Sequence, residues 1–85
     1  MVTKNITIKI PTGLEARPVA LLVQVASRYE SSIYVECEDK KVNAKSIMGM
    51  MSLGIAAGEQ VCVIANGSDE QAAIEEIEKY LSSKE

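Results

Sequence analysis

The apolar spacing changes period early in the chain. Ile6, Ile8 and Ile10 alternate with Thr7 and Lys9, the period of two that puts every second side chain on one face of a strand. Pro11, Thr12 and Gly13 break that run. Val19, Leu22, Val23, Ala26 and Tyr29 then recur at spacings of three and four, which predicts an amphipathic helix over 17–29. Each element has one apolar face, and the two faces must be buried against each other or against further elements of the same kind.

The same two periods order the rest of the chain. Ile33, Val35 and Cys37 share a face of a second strand over 33–37. Glu38, Asp39 and Lys40 form a polar turn, and 41–44 return as a short third strand. Ser46 is a good N-cap for a short helix carrying Ile47, Met48, Met50 and Met51, which must end before Gly54. Gly58 closes a loop, Val61 to Ala65 form a fourth strand, and Asn66 with Gly67 forms a turn. Ser68 or Asp69 caps a last helix with Asp69 and Glu70 in its first turn and Ala73, Ile74, Ile77, Tyr80 and Leu81 as its stripe. The order is β-α-β-β-α-β-α. It predicts an open-faced two-layer sandwich of the α/β (α+β) class, a four-stranded antiparallel sheet with the helices on one face. No linker, repeat or low-complexity tract interrupts it, so 1–85 is expected to be a single domain.

A chain of 85 residues buries roughly 60–65% of its unfolded surface, enough for a modest core without metal or disulfide support. Phe and Trp are absent, so that core must be aliphatic. The net charge of −3 weighs against direct contact with nucleic acid, whose binders need a basic face. With no histidine, the commonest general base and metal ligand is missing. Cys37 and Cys62 lack the paired spacing of a zinc site, and no cofactor is expected. They read as reduced, small core residues, on opposite sides of the sheet if Val61, Val63 and Ala65 point inward. The segment MVTKNITIKI lacks the apolar stretch of a secretion signal, and no apolar run is long enough to span a membrane. The expected setting is cytoplasmic, with no membrane partner.

Three groups of residues are candidates for chemistry. Glu15 and Arg17 flank the start of the first helix, where free N–H groups and roughly half a positive charge attract anions. The pair is either an ordinary charge at a helix start or a phosphate locus; one carboxylate without histidine or metal is a thin basis for acid–base catalysis. Ser46 is either a simple cap or a phosphorylation site, since a phosphoserine is favoured at a helix N-terminus. Ile47, Met48, Met50, Met51 and Leu53 put more flexible apolar mass in one short helix than so small a domain can bury, so part of it is expected at the surface as a docking area. Lys40, Lys41 and Lys45 read as a local positive patch or a solvated edge.

The segments TGLEARPVALLVQVASRYE and KKVNAKSIMGMMSLGIAAGEQV carry a resemblance. The first is similar to the active-site segment of HPr, the histidine-containing phosphocarrier of the bacterial sugar phosphotransferase system. The second is similar to the regulatory-serine segment of that family in Gram-positive bacteria. The family pattern G-[ILV]-H-A-R-P reads here Gly13-Leu14-Glu15-Ala16-Arg17-Pro18, so the arginine is kept and the phosphoryl acceptor is replaced. This resembles the catabolite-repression HPr-like branch of the family, which keeps the serine and usually has glutamine in place of the histidine; the glutamate departs from that too.

The resemblance implies a non-enzymatic regulator. Ser46 would be phosphorylated by HPr kinase/phosphorylase, and the product would act as corepressor for catabolite control protein A. Glu15, Arg17, Ser46, Ile47, Met48 and Met51 would form the partner-binding face. Glu15 would be at best a partial mimic of phosphohistidine, with one charge in place of about two. The alternative is a phosphocarrier that uses Glu15 as an atypical acyl-phosphate acceptor. A small hydrolase or thiol enzyme lacks a base or triad partner. The chain is expected to be a monomer or a weak homodimer.

Overall fold

The structure is a computed structural model that describes residues 1–11 and 16–82. In chain order the elements are β1 (Val2–Thr7), α1 (Ala16–Ser27), β2 (Ser32–Cys37), β3 (Lys40–Asn43), α2 (Ile47–Met51), β4 (Gln60–Asn66) and α3 (Glu70–Leu81). The strands form one antiparallel sheet in the order β1-β4-β2-β3. β4, late in sequence, lies in the middle, between β1 and β2.

Register follows from which side chains must face the helices, because a one-residue slip would turn every strand residue over. Ile6 is opposite Val61, Val35 is opposite both Val63 and Val42, and Ile33 is opposite Ala65. All but the half-buried Val42 are buried. α3 packs on β1 and β4, α1 on α3 and α2, and α2 on β3. Val19, Leu22, Val23 and Ala26 of α1 and Ala73, Ile74, Ile77 and Leu81 of α3 complete an aliphatic core. The opposite face of the sheet exposes Thr3, Asn5, Glu36, Lys41 and Asn43. The open-faced two-layer arrangement is the one expected.

Element ends differ from the expectation for identifiable reasons. β1 starts earlier than the isoleucine alternation, and its regular pairing stops at Thr7. Ile8 nevertheless keeps the pleat: its N–H donates to the Glu59 carbonyl at 2.8 Å, and its carbonyl accepts the Gly58 N–H at 2.8 Å. Ile8 and Ile10 are therefore buried in phase with Ile6. α1 ends at Ser27, and Tyr29 reaches the core from the turn that follows.

Both cysteines are free. Cys37 continues the inward alternation of Ile33 and Val35 and packs against the core. Cys62 alternates with the buried Val61 and Val63, and so lies on the outer face, opposite Glu36. The two thiols are on opposite sides of the sheet, as expected.

The cap of α3 corrects one expectation. Asp69 occupies the N-cap position, but its carboxylate makes no bond to its own helix. It accepts instead from the N–H groups of Glu30 at 2.9 Å and Ser31 at 3.0 Å, and from the Ser31 hydroxyl. Glu70 does the local work, accepting the Gly67 N–H at 3.0 Å. The backbone angles of Asp69 (φ −112°, ψ 26°) are not the extended ones from which an N-cap side chain turns back onto its own helix.

Candidate functional site

Ser46 is positioned by the turn that leaves β3. The Asn43 side-chain oxygen accepts the Lys45 N–H at 2.8 Å, and the Asn43 carbonyl accepts the Ser46 N–H at 3.0 Å. Ser46 itself keeps extended backbone angles (φ −108°, ψ 115°), as an N-cap must. Its Oγ accepts the Gly49 N–H at 3.1 Å, and its carbonyl accepts the Met50 N–H at 3.0 Å. Ser46 is half-buried, and its hydroxyl has its own proton left to donate. A Cβ at Gly49 would come 3.3 Å from Ser46 Oγ, so glycine at that position keeps a methyl group off that side of the oxygen.

One residue anchors α2, and the others are left outside. Met50 is 0% exposed and inserts into the core, whereas Met48 is 85% exposed and Ile47 and Met51 are about half exposed. Ile47 and Met51 are four residues apart, and Met48 and Met51 three, so the three share the outer side of this short helix. Sequence spacing alone implied that some of this apolar mass must emerge; the fold selects Met50 as the buried member. The far end of α2 is closed by Ser52, whose hydroxyl donates to the Gly49 carbonyl at 2.6 Å.

α1 lies beside α2. Arg17 is in its first turn and exposed. Leu21, four residues on and 45% exposed, lies on the same side of the helix as Arg17. Leu21 was not among the expected site residues. It sits off the buried stripe, and an apolar residue at an off-stripe position is the signal that could have found it. Glu15 lies outside the described residues. Lys45, half-buried, links the two segments: its ammonium donates to the Tyr29 carbonyl at 2.6 Å, in the turn that follows α1.

The three lysines do not make one patch. Lys45 is committed to Tyr29. Lys40 points to the helix side and reaches the Ser52 carbonyl at 3.5 Å. Lys41 lies on the open face, 5.0 Å from the centre of the Tyr34 ring. Adjacent residues on a strand point to opposite faces, which divides Lys40 from Lys41.

Among the described residues no group of three His, Cys, Asp or Glu side chains is placed to hold a metal ion. Burial, with Glu59 and Glu38 nearby, pushes the Cys37 thiol above its ordinary value, opposite to what a nucleophilic cysteine needs. What the site does offer is a hydroxyl at a helix cap, an apolar surface beside it, and an arginine on the neighbouring helix.

Residues 2–83 match the family described as PTS HPr component phosphorylation site. The chain is 48% identical over 84 residues to the HPr-like protein Crh of Bacillus subtilis (strain 168), an alignment covering 99% of each chain. It is similar to the crystal structure of HPr-C-His from Thermoanaerobacter tengcongensis, with a TM-score of 0.94 and 52% identity over 99% of this chain and 94% of that one. A crystal structure of Bacillus subtilis Crh, described as a swapped, intertwined dimer, gives a TM-score of 0.79 and 48% identity over 99% of this chain and 97% of that one.

Proposed function

This chain belongs to the HPr family of the phosphotransferase system, and from that premise we propose that it is a non-enzymatic regulator of carbon catabolite repression switched by phosphorylation of Ser46. HPr kinase/phosphorylase adds the phosphate, and the phosphorylated protein binds catabolite control protein A as corepressor, in the cytoplasm and without touching nucleic acid itself. The likeness to HPr-like proteins named Crh supports the regulatory class. The observation that carries the specific reading is the half-buried Ser46 at the cap of α2, with no side chain at Gly49 against its hydroxyl and the exposed Ile47, Met48 and Met51 beside it.

Phosphate at Ser46 introduces about two negative charges and three acceptor oxygens next to an apolar surface. A partner that supplies an arginine to the phosphate and an apolar pocket to the methionines gains both a charge-assisted bond and burial. Without phosphate only the apolar part remains. The unmodified cap is already formed, so the switch adds charge to a folded surface and does not refold it. Arg17 and Leu21 on α1 extend the docking area. The protein works as a monomer or a weak homodimer, the latter in keeping with the swapped dimer described for its Bacillus subtilis relative.

The experiment is labelling with radioactive phosphate by two routes, the serine kinase with ATP and enzyme I with phosphoenolpyruvate. The reading requires label at Ser46 from the first route, none in Ser46→Ala, and repressor binding that rises with label. Stable label at Glu15 from the second route would replace it with the phosphocarrier reading.

A further inference from the structure

The turn between β4 and α3 contains Asn66 followed by Gly67. Packing dictates the glycine: a Cβ at position 67 would fall 2.6 Å from the Ser31 Cα and 2.6 Å from its Oγ. The fold therefore places next to Asn66 a residue with no side chain to shield its backbone nitrogen. Asn66 is the last residue of β4 and is exposed. The Gly67 N–H donates to Glu70 Oε1 at 3.0 Å, and the other oxygen of that carboxylate lies 3.1 Å from the Met1 amino group. Both oxygens are thus held, and with them the orientation of the 66–67 peptide.

We propose that Asn66 is a site of spontaneous deamidation through attack by the Gly67 backbone nitrogen, and that the Glu70 carboxylate restrains the reaction in the folded protein. In the step, the Gly67 nitrogen bonds to the Asn66 side-chain carbon, the bond from that carbon to its amide nitrogen breaks, and ammonia leaves with the proton lost by Gly67. Water then opens the five-membered imide at either carbonyl, giving aspartate or isoaspartate. No oxidant, reductant or metal takes part. While the Gly67 N–H is fixed on Glu70, the nitrogen neither loses its proton nor turns toward the side chain; release of that bond is the gate.

The products disturb this corner. Isoaspartate lengthens the main chain where it already lies against Ser31, and either product adds a negative charge beside Glu70 and Asp69. The three bonds from residues 30 and 31 to Asp69 would loosen with it. Age of the protein would then be recorded as weakened attachment of α3 to the α1–β2 turn.

The chain holds two internal references, Asn5 before Ile6 and Asn43 before Ala44, both followed by buried side chains. The intact chain, Glu70→Ala and Met50→Ala are incubated in warm, mildly alkaline buffer, and deamidation at each asparagine is followed by peptide mapping with isoaspartyl methylation. Asn66 is expected to react ahead of Asn5 and Asn43, and several-fold faster in Glu70→Ala than in the wild type. Met50→Ala, destabilised in α2, which packs on α1 and β3, is expected to accelerate Asn66 less than Glu70→Ala does. An Asn66 rate in Glu70→Ala no higher than in the wild type overturns the proposal. So does equal acceleration by Met50→Ala, or reaction at Asn66 no faster than at Asn43.

Discussion

The carboxylate of Asp69, at the start of α3, is bound by Ser31 through both its backbone N–H and its hydroxyl, although the two residues are 38 positions apart. The Ser31 hydroxyl bond is the main cause that holds the Asp69 carboxyl below its ordinary value, with the Glu30 N–H second. A carboxylate whose folded pKa is depressed stabilises the fold at all pH above its unfolded pKa, and that stability is lost as the pH falls through the folded value. Glu70 acts in the same direction, through the Gly67 N–H and the amino terminus. Thermal melts of the wild type should therefore fall as the pH drops below the ordinary carboxylate range. Asp69→Asn should be less stable than the wild type at neutral pH and approach it in acid. A constant gap between the two across the titration would show that the carboxylate charge is not what matters.

Gly67→Ala should be strongly destabilising. The added methyl meets backbone at Ser31 Cα, which cannot rotate away as a flexible side chain would. A loss of about 1–3 kcal/mol is expected, the range for forced overpacking. Denaturant titration measures it, and a loss within experimental error would mean that the α1–β2 turn can retreat.

Glu38 should be replaceable with a gain. It sits in the two-residue turn between β2 and β3 at φ 56°, the left-handed region that penalises a residue with a Cβ. Glu38→Gly relieves that strain while adding freedom to the unfolded chain, for a net gain of about 0.5 kcal/mol. The reading is the denaturant midpoint, and a decrease would place the benefit of the glutamate elsewhere.

Met50→Ala and Met48→Ala should separate stability from binding. Met50 is fully buried, so its truncation should remove about 2–5 kcal/mol of stability. Met48 is almost bare, and its truncation should change stability by less than about 0.5 kcal/mol. In the phosphorylated protein, Met48→Ala and Met51→Ala should weaken repressor binding by about 1–2 kcal/mol or more. Calorimetric titration beside thermal melts decides; unchanged affinity would remove the methionines from the docking surface.

Glu15→His should restore part of a phosphocarrier activity. Arg17 and Pro18 are in place, and imidazole gives a phosphoramidate that can be passed on. Labelled phosphoenolpyruvate with enzyme I should mark the variant and leave the wild type unmarked. An unmarked variant would mean that this surface has lost more than its acceptor.

Element order and face were legible in the sequence because both are short-range. Ile6, Ile8 and Ile10 fix a pleat by alternation, Val19 to Ala26 fix a helical stripe, and Ser46 caps α2 with an N–H only three residues away. Contacts between distant segments required the folded chain. Nothing in the local pattern says that β4 enters between β1 and β2, that Asp69 leaves its own helix for Ser31, that Lys45 crosses to Tyr29, or that Met50 rather than Met48 goes inside. In each case several partners are chemically equivalent, and the choice is made by which one the packed sheet and helices bring within hydrogen-bond reach or close off from water.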